Sequence, residues 1–386
     1  MKILYISSHY NPFEYNTGSA QRYNLLLRAC AEIAEVDVVT FQKNVVSDIP
    51  NCKVIYSEEL ALPEVGGRLY RIKRLLRPWN PYSFFHKDKK RTAIIESILK
   101  TNEYDFIVTR YIPRALECGL LQYIDKLVID VDDHPMDVML TYSKNAKTSR
   151  ARKYYKFLSW WMQYSITKIL DNAHYTFFPN ANQVFEKNSA YLPNIPYFET
   201  EALPHTQTNK HTMLFIGDLK YEPNILGVEH FVENVFPLIR KRIPDAQFLV
   251  AGRYRDEDWR IKIEQHEGVE LLGFVKELIS AYLRTQVCVV PIYSGAGTNI
   301  KVLEALQMGR ACVVSREGTR GFTSTLQSGR DYYIASNDQE FADSVIRLLL
   351  NDDLCKEIAK NGSDTVRKYY SRQYFNSIVK KALCHE

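Results

Sequence analysis

The sequence predicts an α/β fold with two doubly wound domains. Short runs of branched apolar residues recur along the chain, and helical patterns or loops separate them, as in sheets whose parallel strands are joined by helices. A polar stretch interrupts this alternation near the middle, and the alternation then restarts. A chain of 386 residues also exceeds the usual size of a single core. We therefore expect domains at 1–200 and 211–370, joined by a linker at 201–210.

The first half predicts a β-α-β unit followed by further strands. MKILYISS indicates a strand, AQRYNLLLRACAEIA carries apolar residues at helical spacing, and EVDVVTF is again strand-like. YDFIVTRY and KLVIDVDD indicate two more buried strands. A long helix rich in aromatic and basic residues is predicted from about Ser149 to Leu170.

The second half begins after ETEALPHTQTNK, a polar stretch without periodicity that includes Pro204. Six short apolar runs follow, and each predicts a strand of a second parallel sheet: TMLFIGD, AQFLVAGR, GVELLGFV, VCVVPIY, ACVVSREG and YYIAS. The pattern YSRQYFNSIVKKAL predicts a terminal helix within 371–386, which can pack back on the first domain.

Composition and charge exclude several classes of protein. With 46% apolar and 25% charged residues, the chain has the composition of an ordinary globular protein. A net charge of +5 without a recognised binding motif gives no reason to expect a nucleic-acid partner. Seven cysteines without metal-ligand spacing indicate reduced thiols, and no apolar run reaches the roughly 18 residues that span a membrane. We therefore expect a cytoplasmic protein.

The stretch PIYSGAGTNIKVLEALQMG, from Pro291 to Gly309, indicates an anion site. Gly295, Ala296 and Gly297 let a ligand approach the backbone where a buried strand ends. Thr298 or Asn299 is expected to cap the helix that follows, whose amino end attracts negative charge. Ligands of open α/β sheets bind at such strand ends.

Two charged residues of that helix extend the prediction. Lys301 adds a positive charge one turn into the helix, which favours a diphosphate, and Glu304 lies on the same face, where a ribose diol would suit its carboxylate. The alternative is an exposed pair between Lys301 and Glu304, with the glycines forming a tight turn.

The motifs of the second half occur together in a known family. This half resembles the nucleotide-binding domain of retaining GT-B glycosyltransferases of family 4 over about 210–340, in FIGDLKYEPN, FPLIRKRIPDAQFLVAG, GVELLGFVKEL, VVPIYSGAGTNIKVLEALQMGRACVVS and EGTRGF. In the first half the resemblance rests on MKILYIS, the Gly18 loop with Arg22, and LPN near residue 193.

The resemblance implies an architecture and an activity. We expect a GT-B architecture, in which two Rossmann-like domains face each other across a cleft. The implied reaction moves a sugar from a nucleoside diphosphate sugar to an acceptor hydroxyl with retention of configuration and without an obligatory metal. The acceptor would be a glycan or a lipid-linked molecule in polysaccharide or glycolipid synthesis.

The resemblance also implies roles for individual residues of the second half. Glu304 matches the carboxylate that holds the ribose, and the amides of 295–299 match the diphosphate cradle. The remaining positions face the base or lie at the turn after the first strand of the domain: Gly273, Phe274, Val275 and Gly217.

Two positions depart from the family pattern. Many members carry a second glutamate where this chain has Ala296, and a basic residue often stands where it has Asp218. Lys301 and Lys220 are then the cations left to neutralise the diphosphate. The missing glutamate keeps open a second hypothesis, a nucleotide-sugar-binding subunit without catalysis. An NAD-dependent dehydrogenase is disfavoured, because the first glycine loop lacks the G-x-G-x-x-G pattern.

In the first domain, the resemblance assigns the loop of Gly18 and Ser19, with Arg22 one turn into the helix, to the donor phosphates. A plain turn is the alternative for this loop.

VIDVDDHP places acids and an imidazole at a strand end. We predict Asp132, Asp133 and His134 as catalytic residues acting on the transferred sugar or the acceptor. A metal site formed by Asp130 and Asp132, or solvent-facing turn acids, are the alternatives.

Two segments mix cations with aromatic residues. RARKYYKFLSWWMQY (150–164) and RLYRIKRLLRPWNPYSFF (68–85) have the composition of segments that lie at a lipid interface. The alternative is that they are amphipathic helices packed on the sheet with solvated basic faces. The first reading predicts peripheral contact with the inner face of a membrane.

Overall fold

A computed structural model describes residues 1–60, 87–132, 135–144, 146, 148–184, 187–204, 211–295 and 297–384. The chain divides into two compact units, Met1–Leu192 with Phe375–Glu386 and Pro193–Tyr374. Each unit contains one parallel sheet with helices, which confirms the predicted fold class of two Rossmann-like α/β domains.

The first unit contains a seven-stranded sheet in the order β3-β2-β1-β4-β5-β6-β7, with every neighbouring pair parallel. Its strands are β1 (Lys2–Ser7), β2 (Glu35–Thr40), β3 (Cys52–Ser57), β4 (Phe106–Arg110), β5 (Leu127–Asp130), β6 (Tyr175–Phe178) and β7 (Ser189–Tyr191). Its helices are α1 (Gly18–Ala31), α2 (Lys89–Thr101), α3 (Ile112–Glu117), α4 (Pro135–Lys144) and α5 (Ser149–Asn172), with 3₁₀ turns at Leu120–Lys126 and Ala181–Gln183.

Burial and capping explain these elements. The central strands are buried on both faces, as expected where helices cover a parallel sheet, so they consist of continuous apolar runs. Helix α1 begins where the Thr17 hydroxyl accepts a hydrogen bond from the Ala20 N–H. Helix α5 joins the core through its buried apolar face, in which Ile166 and Ile169 share a cluster with Ile129 of β5.

The second unit contains a six-stranded parallel sheet in the order β10-β9-β8-β11-β12-β13. Its strands are β8 (Thr212–Ile216), β9 (Gln247–Ala251), β10 (Val269–Gly273), β11 (Val287–Val290), β12 (Ala311–Ser315) and β13 (Tyr333–Ala335). Its helices are α6 (Glu222–His230), α7 (Phe236–Arg242), α8 (Glu257–Glu264), α9 (Leu278–Leu283), α10 (Ile300–Gln307), α11 (Asp338–Leu350) and α12 (Asp352–Tyr369). A π-helical turn at Phe231–Val235 joins α6 to α7, a 3₁₀ turn spans Arg316–Thr319, and α13 (Arg372–Cys384) follows α12.

Both sheets reverse their strand order at one point. The chain builds outward in one direction from β1 and then returns to place β4 on the other side of β1, and it does the same with β8 and β11. Loops leave the carboxyl ends of two adjacent strands in opposite directions at such a switch point, so a crevice opens between them. The fold therefore provides one candidate ligand position in each unit.

The predicted domain boundary requires correction. The division falls between Leu192 and Pro193, before the predicted 201–210 linker. Backbone and side-chain hydrogen bonds explain the shift, because the Leu203 N–H donates to the Met308 carbonyl and the Arg310 guanidinium donates to the carbonyls of Leu203 and Pro204. Residues 205–210 lie outside the described residues. The terminal residues Phe375–Glu386 group with the first unit, where the Asn376 amide donates to the Glu32 carboxylate.

Outside the first sheet, the predicted strands and helices match the observed ones. All six strands of the second sheet and the long helix α5 form where the sequence predicted them. Strands β3, β6 and β7 were not predicted: β3 is an edge strand that is only partly buried, and β6 and β7 have four and three residues at the other edge of the sheet. Gly18 is the first residue of helix α1 and does not belong to a loop. The predicted interfacial segment 68–85 lies outside the described residues.

No helix in the described part of the chain is both long enough and apolar enough to cross a membrane.

Candidate functional site

The switch point of the second sheet brings two loops together. Helix α6 packs so tightly on the end of β11 that a side chain at Gly227 would lie 2.1 Å from the Pro291 carbonyl oxygen. The Asn224 amide donates to the Asp218 carbonyl at 2.8 Å, which fixes the turn after β8. Gly217 lies against the same amide, since a Cβ there would be 2.9 Å from Asn224 Nδ2. Helix α6 thus contacts both the turn after β8, through Asn224, and the end of β11, through Gly227.

The loop after β11 has the backbone that its glycines predicted. Gly295 and Gly297 have φ angles of +109° and +77°, in the region that favours glycine. A Cβ at Gly297 would meet no described atom within 4 Å, so this part of the loop faces open space. Ala296 lies outside the described residues. Gly297 therefore leaves its backbone open to a ligand, whereas a Cβ at Gly295 would lie 3.1 Å from the Tyr221 hydroxyl.

The amino end of helix α10 is not capped by a side chain, contrary to the prediction for Thr298 and Asn299. Asn299 occupies the N-cap position, but its side-chain amide donates to the Gly318 carbonyl at 2.9 Å. The Thr298 hydroxyl accepts from the Asn194 amide at 3.2 Å. The partial positive charge of this helix end is consequently not offset by a capping oxygen.

Lys301 lies in the first turn of α10 and is half-buried. Its ammonium donates to Asn224 Oδ1 at 2.6 Å and lies 4.8 Å from the centre of the Phe215 ring. Burial lowers the pKa of Lys301 to about 8, although the nearby Glu304 carboxylate opposes this shift. The ion pairs among the described residues include none between Lys301 and Glu304, so the exposed-pair alternative is wrong. The site carries an amine whose charge has no carboxylate bound to it.

Glu304 lies one turn further along the same helix and is half-buried. Burial raises the pKa of its carboxyl group, and the Lys301 charge counteracts part of that shift. No hydrogen bond to this carboxylate occurs among the described residues, which leaves its oxygens available to a hydroxyl ligand.

The predicted base-facing segment lies at the carboxyl end of the edge strand β10. Gly273 has a φ of +65°, and its carbonyl accepts from the Gly252 N–H at 2.8 Å. Phe274 is 67% exposed, and the Arg253 guanidinium lies 5.2 Å from the centre of its ring. Val275 is half-buried. The sequence prediction missed Arg253, although a cation directly after Gly252, the glycine that follows β9, was a detectable signal.

Lys220 is exposed in the turn after β8, and its N–H donates to the Asp218 carboxylate at 3.2 Å. The predicted cation is present at this turn, together with the acid that departs from the family pattern.

The switch point of the first sheet contains a buried ion network. Asp130, at the end of β5, accepts from the Arg22 guanidinium at 2.6 and 2.8 Å and from Arg110 Nε at 2.6 Å. Arg110 also donates to the Asp132 carboxylate at 2.7 Å and to the Ser19 carbonyl at 2.8 Å. Two guanidinium groups and two carboxylates thereby balance in formal charge at the carboxyl ends of β4 and β5.

Burial alone would raise the pKa of Asp130, but the charges of Arg22 and Arg110 hold it below its ordinary value. Asp130 is therefore ionised, and the guanidinium groups of Arg22 and Arg110 bind its carboxylate oxygens, which disfavours the Asp130–Asp132 metal site considered above. The described residues include no group of three or more acids, histidines or cysteines that could hold a metal ion.

Arg110 was missed by the sequence prediction. It lies at the end of β4 in register with Asp130 of β5, so opposite charges at matching ends of neighbouring buried strands were the available signal. Its guanidinium also lies 4.5 and 4.8 Å from the ring centres of Tyr23 and Tyr111.

The predicted catalytic cluster is described only in part. Asp132 has a φ of +53°, a left-handed backbone that is uncommon away from glycine, and Arg110 fixes its side chain. Asp133 and His134 lie outside the described residues. Arg22, predicted as a donor contact, is buried, and besides Asp130 its guanidinium binds the Leu192 carbonyl at 3.1 Å. Gly18 is exposed and Ser19 half-buried at the start of α1.

His9 follows β1 at the same edge of the first sheet. Burial, with the charges of Arg114 and Arg91, lowers its pKa to about 4, so the imidazole is neutral at physiological pH. Its Nδ1 atom is buried and has no hydrogen-bond partner among the described residues.

Asp130→Asn should destabilise the chain by about 3–5 kcal/mol, because it leaves two buried guanidinium groups without their shared carboxylate. Urea unfolding measures the change, with Asp125→Asn, at an exposed position of the same unit, as the control. Since the folded-state pKa of Asp130 is lowered, its contribution is present at neutral pH and should shrink as the pH falls through that pKa. Equal stability of the two variants at pH 7 would contradict the network.

Known proteins resemble the chain in sequence and in fold. Residues 210–351 match the family model described as glycosyl transferases group 1. A Klebsiella pneumoniae protein, described as an uncharacterized 44.6 kDa protein in the cps region, is 27% identical over 205 residues, which cover 51% of this chain and 52% of the relative. The chain thus matches about half the length of this curated relative.

Solved structures extend the likeness to the whole chain. A sucrose-phosphate synthase from Thermosynechococcus elongatus has a TM-score of 0.67 at 15% identity, covering 100% of this chain and 98% of that one. A glycosyltransferase from Rickettsia africae ESF-5 has a TM-score of 0.64 at 12% identity, covering 100% and 99%. The Anabaena protein HepE in complex with UDP and glucose has a TM-score of 0.57 at 11% identity, covering 100% of both chains. The chain has the GT-B glycosyltransferase fold, and residues 210–351 of its second unit are similar to the glycosyl transferases group 1 family.

Proposed function

We propose that this chain is a glycosyltransferase that moves a sugar from a nucleoside diphosphate sugar to an acceptor hydroxyl, with retention of configuration, as in family 4. The observation that carries the proposal is the switch point of the second sheet, where open glycine backbone, an uncapped helix end and the Lys301 ammonium meet inside the matched domain. The UDP and glucose in the Anabaena structure support a nucleotide-sugar donor.

The diphosphate of the donor occupies the amino end of helix α10. The amides of 295–299 and the charge of Lys301 bind its oxygens, and exposed Lys220 adds charge from the turn after β8. Lys301 then stabilises the negative charge that develops on the leaving diphosphate, the part that a divalent cation plays in enzymes with a metal site. The reaction accordingly needs no metal.

The nucleoside extends along the carboxyl edge of the sheet. The Glu304 carboxylate accepts hydrogen bonds from the ribose hydroxyls, and Gly273 to Val275 face the base. Gly217 has no side chain, so the turn after β8 packs closely against Asn224 and leaves room for the ligand beside it. The exposed ring of Phe274, beside Arg253, offers the base a flat apolar surface.

The first unit acts on the sugar and the acceptor. Asp132, Asp133 and His134 follow β5, and we assign them to orienting or deprotonating the acceptor hydroxyl. The predicted donor contacts of this unit stay predictions: Gly18, Ser19 and Arg22. Because Arg22 is buried in an ion pair with Asp130, we assign it an indirect role, in which it holds Asp130 in place.

The acceptor is a glycan or a lipid-linked molecule, in polysaccharide or glycolipid synthesis. The cps-region relative supports the polysaccharide assignment. The exposed surface of helix α5 supports a lipid-linked acceptor, because Phe157 and Trp160 are 51% and 62% exposed there. The basic residues Arg152, Lys153 and Lys156 are exposed on the same helix, which suits anionic headgroups. The chain would then work in the cytoplasm at the inner membrane face.

The competing function is a nucleotide-sugar-binding subunit without catalysis, which the family departure at Ala296 keeps open. Turnover separates the two. We expect one nucleoside diphosphate to raise the melting temperature in a thermal-shift screen, since a ligand at 100 times its Kd stabilises by about 2.7 kcal/mol. The matching nucleotide sugar should then release its diphosphate slowly without acceptor, in EDTA as in buffer.

Each failure of that experiment has its own meaning. Stabilisation without release would favour the binding subunit. Release that EDTA abolishes and manganese restores would overturn the metal-free mechanism. In the same assay, in which water takes the place of the acceptor hydroxyl, one of Asp132→Asn, Asp133→Asn and His134→Gln should lose at least about a hundredfold in turnover while diphosphate affinity stays within about twofold. Full turnover in all three would remove the cluster from the reaction.

Lys301 and Glu304 should differ in the ligands they affect. Glu304→Ala should weaken nucleoside and nucleoside diphosphate alike, by roughly ten- to a hundredfold, because both ligands carry the ribose. Lys301→Gln should weaken only the diphosphate. Wild-type affinity for the diphosphate should also fall as the pH rises through about 8, where Lys301 loses its proton. Calorimetry with both ligands on both variants measures this, and equal losses for Lys301→Gln would contradict the diphosphate assignment.

Helix α5 should bind anionic vesicles. Wild-type protein should sediment with vesicles of phosphatidylglycerol and phosphatidylcholine, and the double variant Phe157→Ser, Trp160→Ser should sediment several-fold less, because the exposed rings supply the apolar contact. Ile261→Ser, at an exposed position of helix α8, is the matched control. A double variant that sediments like wild type would exclude this surface.

A further inference from the structure

Two motifs of the sequence have no role assigned in the proposed function: EGTRGF (317–322), after β12, and LPN (192–194). The structure brings a residue of each against the loop that precedes helix α10. Both contacts fall on Thr298 or Asn299, the two residues that connect the glycines to the helix.

Asn299 is held away from the helix that it precedes. Asparagine is among the best N-cap residues, because its side-chain oxygen readily accepts from the free N–H groups of a first turn. Here its amide instead donates to the Gly318 carbonyl at 2.9 Å. Gly318 cannot easily move, since a Cβ there would already lie 2.7 Å from Val314 Cγ1 of β12. The 3₁₀ turn after β12 therefore competes with the helix for this side chain.

Thr298 is enclosed from two sides. Its hydroxyl accepts from the Asn194 amide at 3.2 Å. On the other side lies Gly321, with a φ of +89°, where a Cβ would be 2.2 Å from Thr298 Oγ1 and 3.0 Å from Thr298 Cβ. Real Cβ atoms do not approach this closely, and a β-branched threonine has little rotameric freedom to yield. Gly321 thus leaves the space that Thr298 occupies.

We infer that Gly321 and Asn194 are positioning residues for the loop at 295–299, to which the proposed function assigns the donor diphosphate. They fix Thr298 on both sides, and with Thr298 in place Asn299 reaches Gly318 and leaves the first turn of α10 without a side-chain cap. The EGTRGF and LPN segments act on the ligand only through this loop. This inference rests on the proposed function, because the ligand that profits from an uncapped helix end is the donor diphosphate.

Two glycines of the second unit provide a matched pair of variants. Gly321 and Gly329 have φ angles of +89° and +84°, so alanine is strained by its backbone at both positions. A Cβ at Gly329 meets no described atom within 4 Å, whereas one at Gly321 meets Thr298. Any difference between the two variants beyond backbone strain therefore comes from the contact with Thr298.

The experiment measures nucleoside and nucleoside diphosphate affinity for wild type, Gly321→Ala and Gly329→Ala. We expect both variants to lose thermal stability. Gly321→Ala should bind the diphosphate at least about tenfold more weakly and the nucleoside within about twofold of wild type, and Gly329→Ala should bind both ligands like wild type. A general structural defect would instead weaken both ligands together, and that result would overturn the inference.

Two further variants keep the test decisive if Gly321→Ala does not fold. Asn194→Ala introduces no clash, and it should weaken the diphosphate several-fold while sparing the nucleoside. Adding Gly321→Ala to Thr298→Ala should cost less diphosphate affinity than adding it to wild type, because the clashing hydroxyl is gone.

The outcomes separate this inference from the function on which it rests. If wild type binds no nucleoside diphosphate, the proposed function fails and the inference falls with it. If wild type binds one, and Gly321→Ala and Asn194→Ala bind it equally well, the positioning role alone is overturned.

Discussion

The Lys301 ammonium is kept in a half-buried position with an amide oxygen and an aromatic ring as its neighbours. An amine in such surroundings loses hydration without gaining a bound carboxylate, which is why its pKa falls to about 8. This unfavourable loss of hydration occurs at the amino end of a helix, where the backbone adds further positive potential. The charge of Lys301 and the positive potential of the helix end both become favourable when an anion binds. In the proposed function, the loop of Gly295 and Gly297, the turn held by Asn224 and the carboxylate of Glu304 contact that anion and its nucleoside.

The switch point of the first sheet shows the opposite electrostatics. Arg22, Arg110, Asp130 and Asp132 satisfy one another, so their charges are already neutralised within the unit. Such a network fixes the geometry of the residues around it and offers little attraction to a free anion. Arg110 ties the start of helix α1 to the end of β5, because its guanidinium binds the Ser19 carbonyl and the carboxylates of Asp130 and Asp132. The same topology therefore carries the proposed anion site in one unit and an internally neutralised ion network in the other.

The sequence predicted the fold class because the central strands of both sheets are continuous apolar runs that end in recognisable turns. It also located the loop after β11, where Gly295 and Gly297 have the positive φ angles that only glycine adopts readily. It missed Arg110 and Arg253, although their charges at strand ends were available signals, and it could not assign a contact to Asn194, because that contact joins residues 104 positions apart in sequence. The expected cap at Asn299 was wrong for the same reason, since a carbonyl 19 residues away takes its amide. The boundary was placed too late, because a polar stretch with Pro204 has the composition of a linker even where Arg310 holds its carbonyls.

A structure of the chain with a bound nucleoside diphosphate tests the central claim most directly. We expect the diphosphate oxygens within hydrogen-bond distance of the amides of 295–299 and of Lys301 Nζ, with the ribose hydroxyls on the Glu304 carboxylate. A nucleotide bound elsewhere, for example beside Gly18 at the end of β1, with Lys301 and Glu304 untouched, would contradict the account.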